Sequence, residues 1–282
     1  MTPPLGASRL LLSLAGAGLA LLLILPLVPL AIWSFAHGWR YPDILPQQWS
    51  TDAWSYALSP ASGALQCLVT TSLIAGATTL LAAAIGLPAG RVLGLCRFRG
   101  KTLVVLIVLA PLIVPGIAIA LGLHSVFAWL GLTGTLTGVI LVHLIPTLPY
   151  MTLLMAAVFA SHDPRYDLQA RSLGASPLMA FRHITLPAIF PGLLTAAAFT
   201  FLVSWSQYLL TLMIGGGKIT TLPLMLFSFA AAGRNDLAGA IGAIYILPGI
   251  LILALAARRL TPPQPASHPA PHPAMPALKP PQ

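Results

Sequence analysis

The chain has 282 residues, of which 57% are hydrophobic and only 7% are charged, with a formal net charge of +9. A water-soluble domain has about 25% charged residues, so this composition excludes a soluble protein and predicts a lipid-facing surface. The sequence contains no Glu and five acidic residues in all, which argues against an active site of paired acid–base groups. No basic run is interleaved with aromatic residues, so we expect no nucleic-acid partner.

Six apolar segments are long enough to cross a bilayer, for which a helix needs about 20 residues. The first is longer than the apolar core of a signal peptide, about 7–15 residues, so we expect a retained anchor helix. The sequence therefore predicts an all-α membrane protein with six transmembrane helices, at Leu10–Phe35, Gly63–Gly90, Thr102–Leu123, Leu136–Ala160, Ala188–Ile214 and Leu237–Ala257.

The chain divides into three parts. Residues 1–62 are expected to form the N-terminal anchor helix and an outer loop, and residues 63–260 the transmembrane domain. Residues 261–282 are a proline-rich tail that is expected to be disordered in the cytoplasm, because it cannot bury a core. Its isolated histidines, His268 and His272, predict no metal site.

The basic residues predict the orientation in the membrane. With the N-terminus in the cytoplasm, all but three of the 14 Lys and Arg residues lie inside, the exceptions being Arg40, Lys218 and Arg234. Membrane proteins show this excess of cytoplasmic bases. We therefore expect both termini, and the segment between the fourth and fifth spans, to be cytoplasmic.

That segment contains two helix signals separated by a glycine. Asp163–Pro164 forms a helix start, and Gly174 stands where a left-handed turn ends a helix. Ser176–Pro177 forms a second start, and Pro187 is expected to end the second helix. The residues alone leave two interpretations open. Either the short helix binds in a partner's groove, or it lies on the inner leaflet, where its bases attract anionic lipid.

The sequence DLQARSLGASPLMAFRHITLP, residues 167–187, resembles the cytoplasmic loop of type I (MetI-like) binding-protein-dependent ABC importer permeases. The family motif reads approximately E-A-A-x-x-x-G and is followed by I-x-L-P. The family's glutamate falls on Leu168, and Asp167 stands one position earlier. A second stretch, SWSQYLLTLMIGGG, is similar to the polyamine, ferric-iron, thiamine and sulfate branches. The resemblance covers residues 63–259, and its matching positions in the loop are Ala170, Gly174, Ala175 and Ile184–Pro187.

The resemblance implies a permease subunit of an ATP-driven importer, which forms part of the translocation pathway for a small polar solute. The implied partners are a dimer of cytoplasmic ATP-binding subunits, a second permease subunit that is identical or paralogous, a periplasmic or extracellular substrate-binding protein, and membrane lipid. The implied location is a bacterial inner membrane. The chain is then not an enzyme and has no cofactor, because the partner subunit binds ATP.

In such a permease a short coupling helix after the glycine docks on the ATPase. The residues of the implied coupling loop are Ala170, Leu173, Gly174, Ala175, Ser176, Pro177, Phe181 and Pro187. The alternative is a self-contained secondary transporter or channel. Such proteins usually carry ionisable residues inside the membrane or internal repeats, and the spans predicted here have no charged residue at their centres.

Polar residues and prolines interrupt the predicted spans. The polar residues are expected to face the protein interior, either in interhelical hydrogen bonds or along the translocation pathway. Two proline-containing stretches, APLIVPG (residues 110–116) and HLIPTLPY (residues 143–150), are expected to kink or break their helices. The candidate pathway residues are His143, Ser204, Gln207 and Tyr208.

The sequence GGGKIT, residues 215–220, matches a phosphate-binding loop motif only in part. The motif G-x-x-x-x-G-K-[ST] would need a glycine at Leu212 and a hydroxyl residue at Ile219. We interpret this stretch as a flexible outer loop. ATP hydrolysis is therefore expected from a separate subunit.

Overall fold

The apolar composition produces an almost wholly helical chain. The computed structural model describes residues 5–39 and 43–260, so the predicted tail and Arg40 lie outside the described residues. The helices in these two ranges are α1 (Leu5–Ile24), α2 (Leu27–Ser34), α3 (Asp52–Leu58), α4 (Ala64–Leu95), α5 (Lys101–Ile113), α6 (Gly116–Trp129), α7 (Leu136–Ala160), α8 (Arg165–Ser172), α9 (Pro177–Ala180), α10 (Leu186–Trp205), α11 (Leu209–Gly215), α12 (Leu222–Ala231) and α13 (Asn235–Leu260).

Three short elements complete the described chain. A 3₁₀ turn at Pro60–Ser62 precedes α4, and a π-helical turn at Phe181–Thr185 joins α9 to α10. Strands β1 (Ala36–His37) and β2 (Gln48–Trp49) pair antiparallel in the predicted outer loop. The sequence did not predict this ladder, which is too short to change the all-α class.

Within the described residues, four helices are long and apolar enough to cross a membrane: α4, α7, the helix from Pro177 to Trp205, and α13. A fifth, broken segment consists of α5 and α6, which are bent by 99°. The first predicted span, Leu10–Phe35, is divided between α1 and α2. The helical membrane class is thus confirmed, and the number of six spans stays a prediction.

The third predicted span is wrong as a single helix. α5 ends at Ile113, and Val114 has an extended backbone with ψ 132°. A residue before proline is pushed out of the helical region, and Pro115 follows here. The break expected at residues 110–116 is therefore confirmed.

The prolines of the fourth predicted span behave differently. Pro146 and Pro149 lie inside α7, which runs unbroken from Leu136 to Ala160. A break at residues 143–150, one of the two expectations for this stretch, is therefore wrong, and a kink there stays a prediction. α7 packs against both α4 and α10, and neighbouring helices stabilise proline-containing helices in membranes.

The contact between α4 and α7 is the most extensive in the described chain. Gly86, Gly90 and Gly94 follow one another at every fourth position of α4, which places them on one face. A Cβ atom built on Gly90 would lie 2.9 Å from the backbone oxygen of Thr152 and 2.9 Å from the backbone nitrogen of Ala156. Small residues allow this close approach of two backbones in a membrane.

The buried side chains between α4, α7 and α10 form one of the hydrophobic clusters of the described chain. Its largest members are Met151, Met155, Phe159 and Ile189, each 1% exposed or less. This cluster ends next to the loop that connects α7 to α10, because Phe159 is one residue before the end of α7. The residues just before the loop are therefore tightly packed between helices.

Candidate functional site

The helix start predicted at Ser176–Pro177 is confirmed, whereas α8 begins one residue later than predicted, at Arg165 with Pro164 as its N-cap. The backbone nitrogen of Arg165 nevertheless donates a hydrogen bond of 2.9 Å to Oδ1 of Asp163, the residue before that N-cap. The backbone nitrogen of Met179 donates a hydrogen bond of 3.2 Å to Oγ of Ser176, and Pro177 is the first residue of α9. These side chains satisfy backbone donors that a helix start leaves free.

The glycine turn between the two helices is also confirmed. Gly174 has φ +93°, a left-handed conformation that glycine adopts without steric cost. The backbone nitrogen of Gly174 donates to the oxygen of Arg171 at 3.1 Å, and that of Ala175 donates to the oxygen of Ala170 at 3.0 Å. This pair of bonds is the Schellman ending of a helix. Three of the loop positions that match the family motif, Ala170, Gly174 and Ala175, thus take part in the turn.

The prediction that Pro187 ends the second helix is wrong. From Pro177 the chain continues through the π turn into α10, so that a single helix of 29 residues runs to Trp205. Pro187 lies in the first turn of α10. The π turn has wider spacing than an α-helix, which relieves the clash between a proline ring and the carbonyl one turn earlier.

The outward side of the loop carries large apolar side chains. Leu173 is 89% exposed and Leu178 is 74% exposed. Leu168, at the position of the family's glutamate, belongs to the same set. Where large exposed apolar side chains face water, they mark an interaction site. We call this set the loop surface, and it consists of Tyr166, Leu168, Leu173, Leu178 and Met179, all at least 54% exposed.

The inward side of the loop is polar. The side chain of Asp167 is 14% exposed, and its Oδ2 lies 3.6 Å from Nη2 of Arg91 on α4. Oγ1 of Thr185 donates a hydrogen bond of 2.7 Å to Oδ1 of Asp167. The guanidinium carbon of Arg91 lies 5.9 Å from the centre of the Phe181 ring. Sequence reasoning missed Arg91 and Thr185, since no spacing signal connects residues on three separate elements.

The other predicted loop residues surround these contacts. Ala170 and Ala175 are half-buried next to the turn, whereas Ser176, Pro177 and Pro187 are exposed. These five residues help to set the backbone conformation of the glycine turn and of the helix starts.

Two of the predicted pathway residues contact each other. His143 on α7 is 1% exposed, and its Nδ1 lies 2.9 Å from Oγ of Ser204 on α10. Its Nε2 lies 2.9 Å from Oγ1 of Thr211 on α11, a partner that the sequence did not indicate. The interhelical hydrogen bonds that were one of the two expectations are therefore present.

The remaining two lie where the fifth predicted span is interrupted. That span was predicted as Ala188–Ile214, but α10 ends at Trp205 and α11 begins at Leu209, so it is wrong as one helix. Gln207 and Tyr208 occupy the break and are half-buried. The Tyr208 ring centre lies 4.4 Å from that of Phe227 on α12.

The glycines after α11 form a turn. Gly216 and Gly217 have φ +55° and +75°, and α11 ends at Gly215. Among residues 5–39 and 43–260, no group of three or more His, Cys, Asp or Glu side chains is placed to hold a metal ion.

Known proteins resemble this chain in sequence. A family described as "binding-protein-dependent transport system inner membrane component" matches residues 86–263, more than half of the chain. The trehalose transport system permease protein SugB of Mycobacterium tuberculosis is 30% identical over 186 residues, which cover 64% of this chain and 68% of that protein. The spermidine/putrescine transport system permease protein PotC of Haemophilus influenzae is 27% identical over 159 residues, covering 56% of this chain and 62% of that protein.

A solved structure shares the fold. It is that of a bacterial ABC transporter involved in the import of the acidic polysaccharide alginate, with a TM-score of 0.67 and 19% identity, covering 92% of this chain and 100% of that chain. The expected alternative, a self-contained transporter or channel, is not favoured by these matches. Together with the membrane helices and the loop, the family match shows that this chain belongs to the binding-protein-dependent transport system inner membrane components, the multi-pass permease subunits of ABC importers.

Proposed function

We propose that this permease moves a small polar solute across the inner membrane, and that its loop docks on a separate cytoplasmic ATPase subunit that binds ATP. The observation that carries the proposal is the loop surface, in which Leu173 is 89% exposed on a backbone fixed by caps and a glycine turn. Exposed apolar area costs about 25 cal/mol per Å² relative to burial. A partner that covers these side chains would recover that free energy.

The orientation of the loop is supported by the contact between Arg91 and Asp167. It places the basic carboxyl end of α4 and the loop on one side of the molecule. Arg97, Arg99 and Lys101 follow shortly after that end, and bases mark the cytoplasmic side. This supports a cytoplasmic loop, cytoplasmic termini, and six spans in which α1 and α2 together form the first.

The remaining partners follow from the family. The family's description names a dependence on a binding protein. We infer that this protein delivers solute on the outer side, and that a second permease subunit, identical or paralogous, completes the pathway. SugB and PotC are named for trehalose and for spermidine and putrescine, which supports a small polar solute here. Within the membrane, Gln207 and Tyr208 are the stronger pathway candidates, because non-helical backbone at membrane depth lines protein or water-filled cavities.

The test is co-purification of the chain with its candidate ATP-binding subunit. Leu178→Asp places a charge on the loop surface, at a side chain that is 74% exposed. Because alanine scans assign about 2 kcal/mol or more to central interface residues, we expect at least about a ten-fold loss of recovered ATPase. The control is Ile44→Asp, which introduces the same change at a side chain that is 89% exposed in the predicted outer loop.

Wild-type chain and the Ile44→Asp control should recover equal amounts of ATPase. Equal recovery with Leu178→Asp would contradict docking through the loop surface. Enrichment of the wild-type chain on anionic vesicles without any ATPase recovery would favour the membrane-surface interpretation of the short helix. Solute uptake in cells that lack the ATPase would favour a self-contained transporter.

A further inference from the structure

Asp167 stands out among the acidic residues of this chain. Its side chain is 14% exposed, whereas those of Asp52 and Asp163 are 79% and 48% exposed. It lies on α8 but turns away from the loop surface that its neighbours Tyr166 and Leu168 help to form. A half-buried carboxylate costs free energy unless it is paired and hydrogen-bonded. Its partners therefore indicate what its position achieves.

We propose that Asp167 is a positioning residue, which locks the docking loop to α4 and to the π turn so that loop and membrane helices move as one unit. The inference rests on the proposed function for its purpose, but its geometry stands on this chain alone. Arg91, His162 and Thr185 are the other members of this set, which we call the Asp167 brace.

Each oxygen of the Asp167 carboxylate contacts a different element. Oδ1 accepts the 2.7 Å hydrogen bond from Thr185 in the π turn, where Thr185 is 0% exposed. Oδ2 faces Nη2 of Arg91 on α4 at 3.6 Å. Through Asp167, α8 therefore contacts both the π turn, which continues into α10, and α4.

His162 completes the surroundings of the carboxylate. It lies between α7 and α8, and its Nε2 is 4.0 Å from Oδ1 of Asp167. This nitrogen is buried and makes no hydrogen bond to the part of the chain that the structure describes. At 4.0 Å His162 makes no hydrogen bond to the carboxylate, so it lines the site while Arg91 and Thr185 hold Asp167.

Arg91 anchors the brace through its backbone on α4, while its side chain is 44% exposed. It stands between Gly90 and Gly94, whose built Cβ atoms would lie within 3.0 Å of the α7 backbone at Thr152, Ala156 and Ala160. Backbones in such close contact cannot shift without creating clashes. The Phe181 ring, 5.9 Å from the Arg91 guanidinium carbon, further limits its rotamers through a cation–π contact.

The brace explains why the acid of this chain stands one position before that of the family motif. At position 167 the carboxylate faces the interior of the loop, while position 168 is 58% exposed and carries leucine. The loop therefore presents an apolar face outward and uses its acid internally. Leu168 belongs to the surface proposed to dock, and Asp167 to the contacts proposed to position the loop. Mutations at these two neighbouring residues can therefore test the two roles separately.

The experiment measures the distance between α4 and α8 by spin labels. One label is placed on Cys96, an exposed thiol directly after α4, and the other on Ser172→Cys at the end of α8, with the buried Cys67 replaced by Ala. The variants are Asp167→Asn, and Thr185→Val in case the first does not fold. The matched control is Asp163→Asn, which removes a charge from the same loop and keeps an oxygen that can cap α8.

In the reference protein we expect one narrow distance distribution, unchanged when ATP and vanadate are added to the complex with its ATPase. Thr185→Val removes the hydrogen bond to the carboxylate, and Asp167→Asn removes the negative charge that faces Arg91 and leaves Thr185 only a neutral acceptor. We expect a distribution at least about twice as wide in both variants, because weakening a hydrogen bond to a charged group corresponds to roughly a ten-fold shift toward open states. In the complex that distribution should also move with ATP and vanadate. Asp167→Glu should restore part of the narrow distribution, while ATPase recovery stays within about two-fold of the reference for every variant, since the loop surface is intact.

Three results would overturn the brace: unchanged widths in both variants, equal broadening in the Asp163→Asn control, or a wild-type distance that itself moves with ATP and vanadate. Failure of the wild-type chain to recover any ATPase would instead contradict the proposed function. The distance measured on the chain alone would still decide whether Asp167 holds the loop.

Discussion

The membrane helices and the loop between α7 and α10 are held together by opposite means. Between α4 and α7 the contact depends on glycines, and a Cβ at Gly90 would come within 2.9 Å of the facing backbone. In the loop the contact depends on a carboxylate, with Asp167 inside and Leu173 exposed to 89% outside. The loop thus reverses the usual arrangement of polar and apolar side chains.

The difference follows from the solvent of each region. In lipid, apolar side chains gain little by leaving the solvent, so close fit between small residues specifies which helices pair. In water, a buried carboxylate must be paired, and exposed leucines favour a partner that covers them. The membrane region should therefore be sensitive to volume, and the loop to backbone conformation and to single polar contacts.

The largest effect is expected from Gly90→Leu. The added side chain meets the α7 backbone, and overpacking of this kind costs about 3 kcal/mol or more when backbone must move. We expect most of the protein to be lost as aggregate when it is purified in detergent and analysed by size-exclusion chromatography. The control Gly76→Ala lies on the same helix with nothing within 4 Å of the built Cβ. Equal recovery of both variants would contradict close packing of α4 on α7.

An intermediate effect is expected from Gly174→Val. A left-handed backbone costs an L-residue about 1–2 kcal/mol, so the turn after α8 should shift and displace the loop surface. We expect recovery of the ATPase to fall about ten-fold with little change in the thermal stability of the membrane helices. Gly217→Val is the matched control, since Gly217 also has a positive φ, +75°, and open space around it. If both variants recover the same amount of ATPase, the turn does not position the docking surface.

The smallest effect is expected from His143→Leu, which tests the polar exception inside the membrane region. The change removes hydrogen bonds to Ser204 and Thr211, and interhelical bonds in membranes average about 0.6 kcal/mol each. We expect the free energy of unfolding in mixed micelles to fall by about 1 kcal/mol. The control Thr147→Val removes a hydroxyl whose bond, 2.7 Å to the oxygen of His143, stays within α7. A loss of solute uptake with unchanged stability would instead assign His143 to the pathway.

The sequence was sufficient for features that depend on neighbouring residues. The cap at Ser176 and the positive φ of Gly174 were predicted, and the start of α8 was predicted to within one residue, because each depends on a few adjacent positions. The break before Pro115 was predicted for the same reason. In each case the local rule and the tertiary structure agree.

The sequence was insufficient where tertiary contacts decide. Pro149 leaves α7 unbroken because α4 and α10 pack against it, and Pro187 is accommodated by a π turn that no local pattern announces. The pairing of Arg91 with Asp167 joins two distant parts of the chain. Sequence reasoning assigned the loop's importance to its glycine and its outer residues, whereas its inner contacts became visible only in three dimensions.

The uninterrupted helix from Pro177 to Trp205 has a mechanical consequence. Its 29 residues extend about 44 Å at 1.5 Å per residue, which exceeds the hydrocarbon thickness of a bilayer, about 30 Å. Because the helix is continuous from its Pro177 end, the tip, to Trp205, a displacement of the tip must appear as tilt. A tilt of about 10° around the outer end moves the tip by about 8 Å, given that length. This helix converts a push parallel to the membrane surface into a change of angle between helices at the level of Ser204.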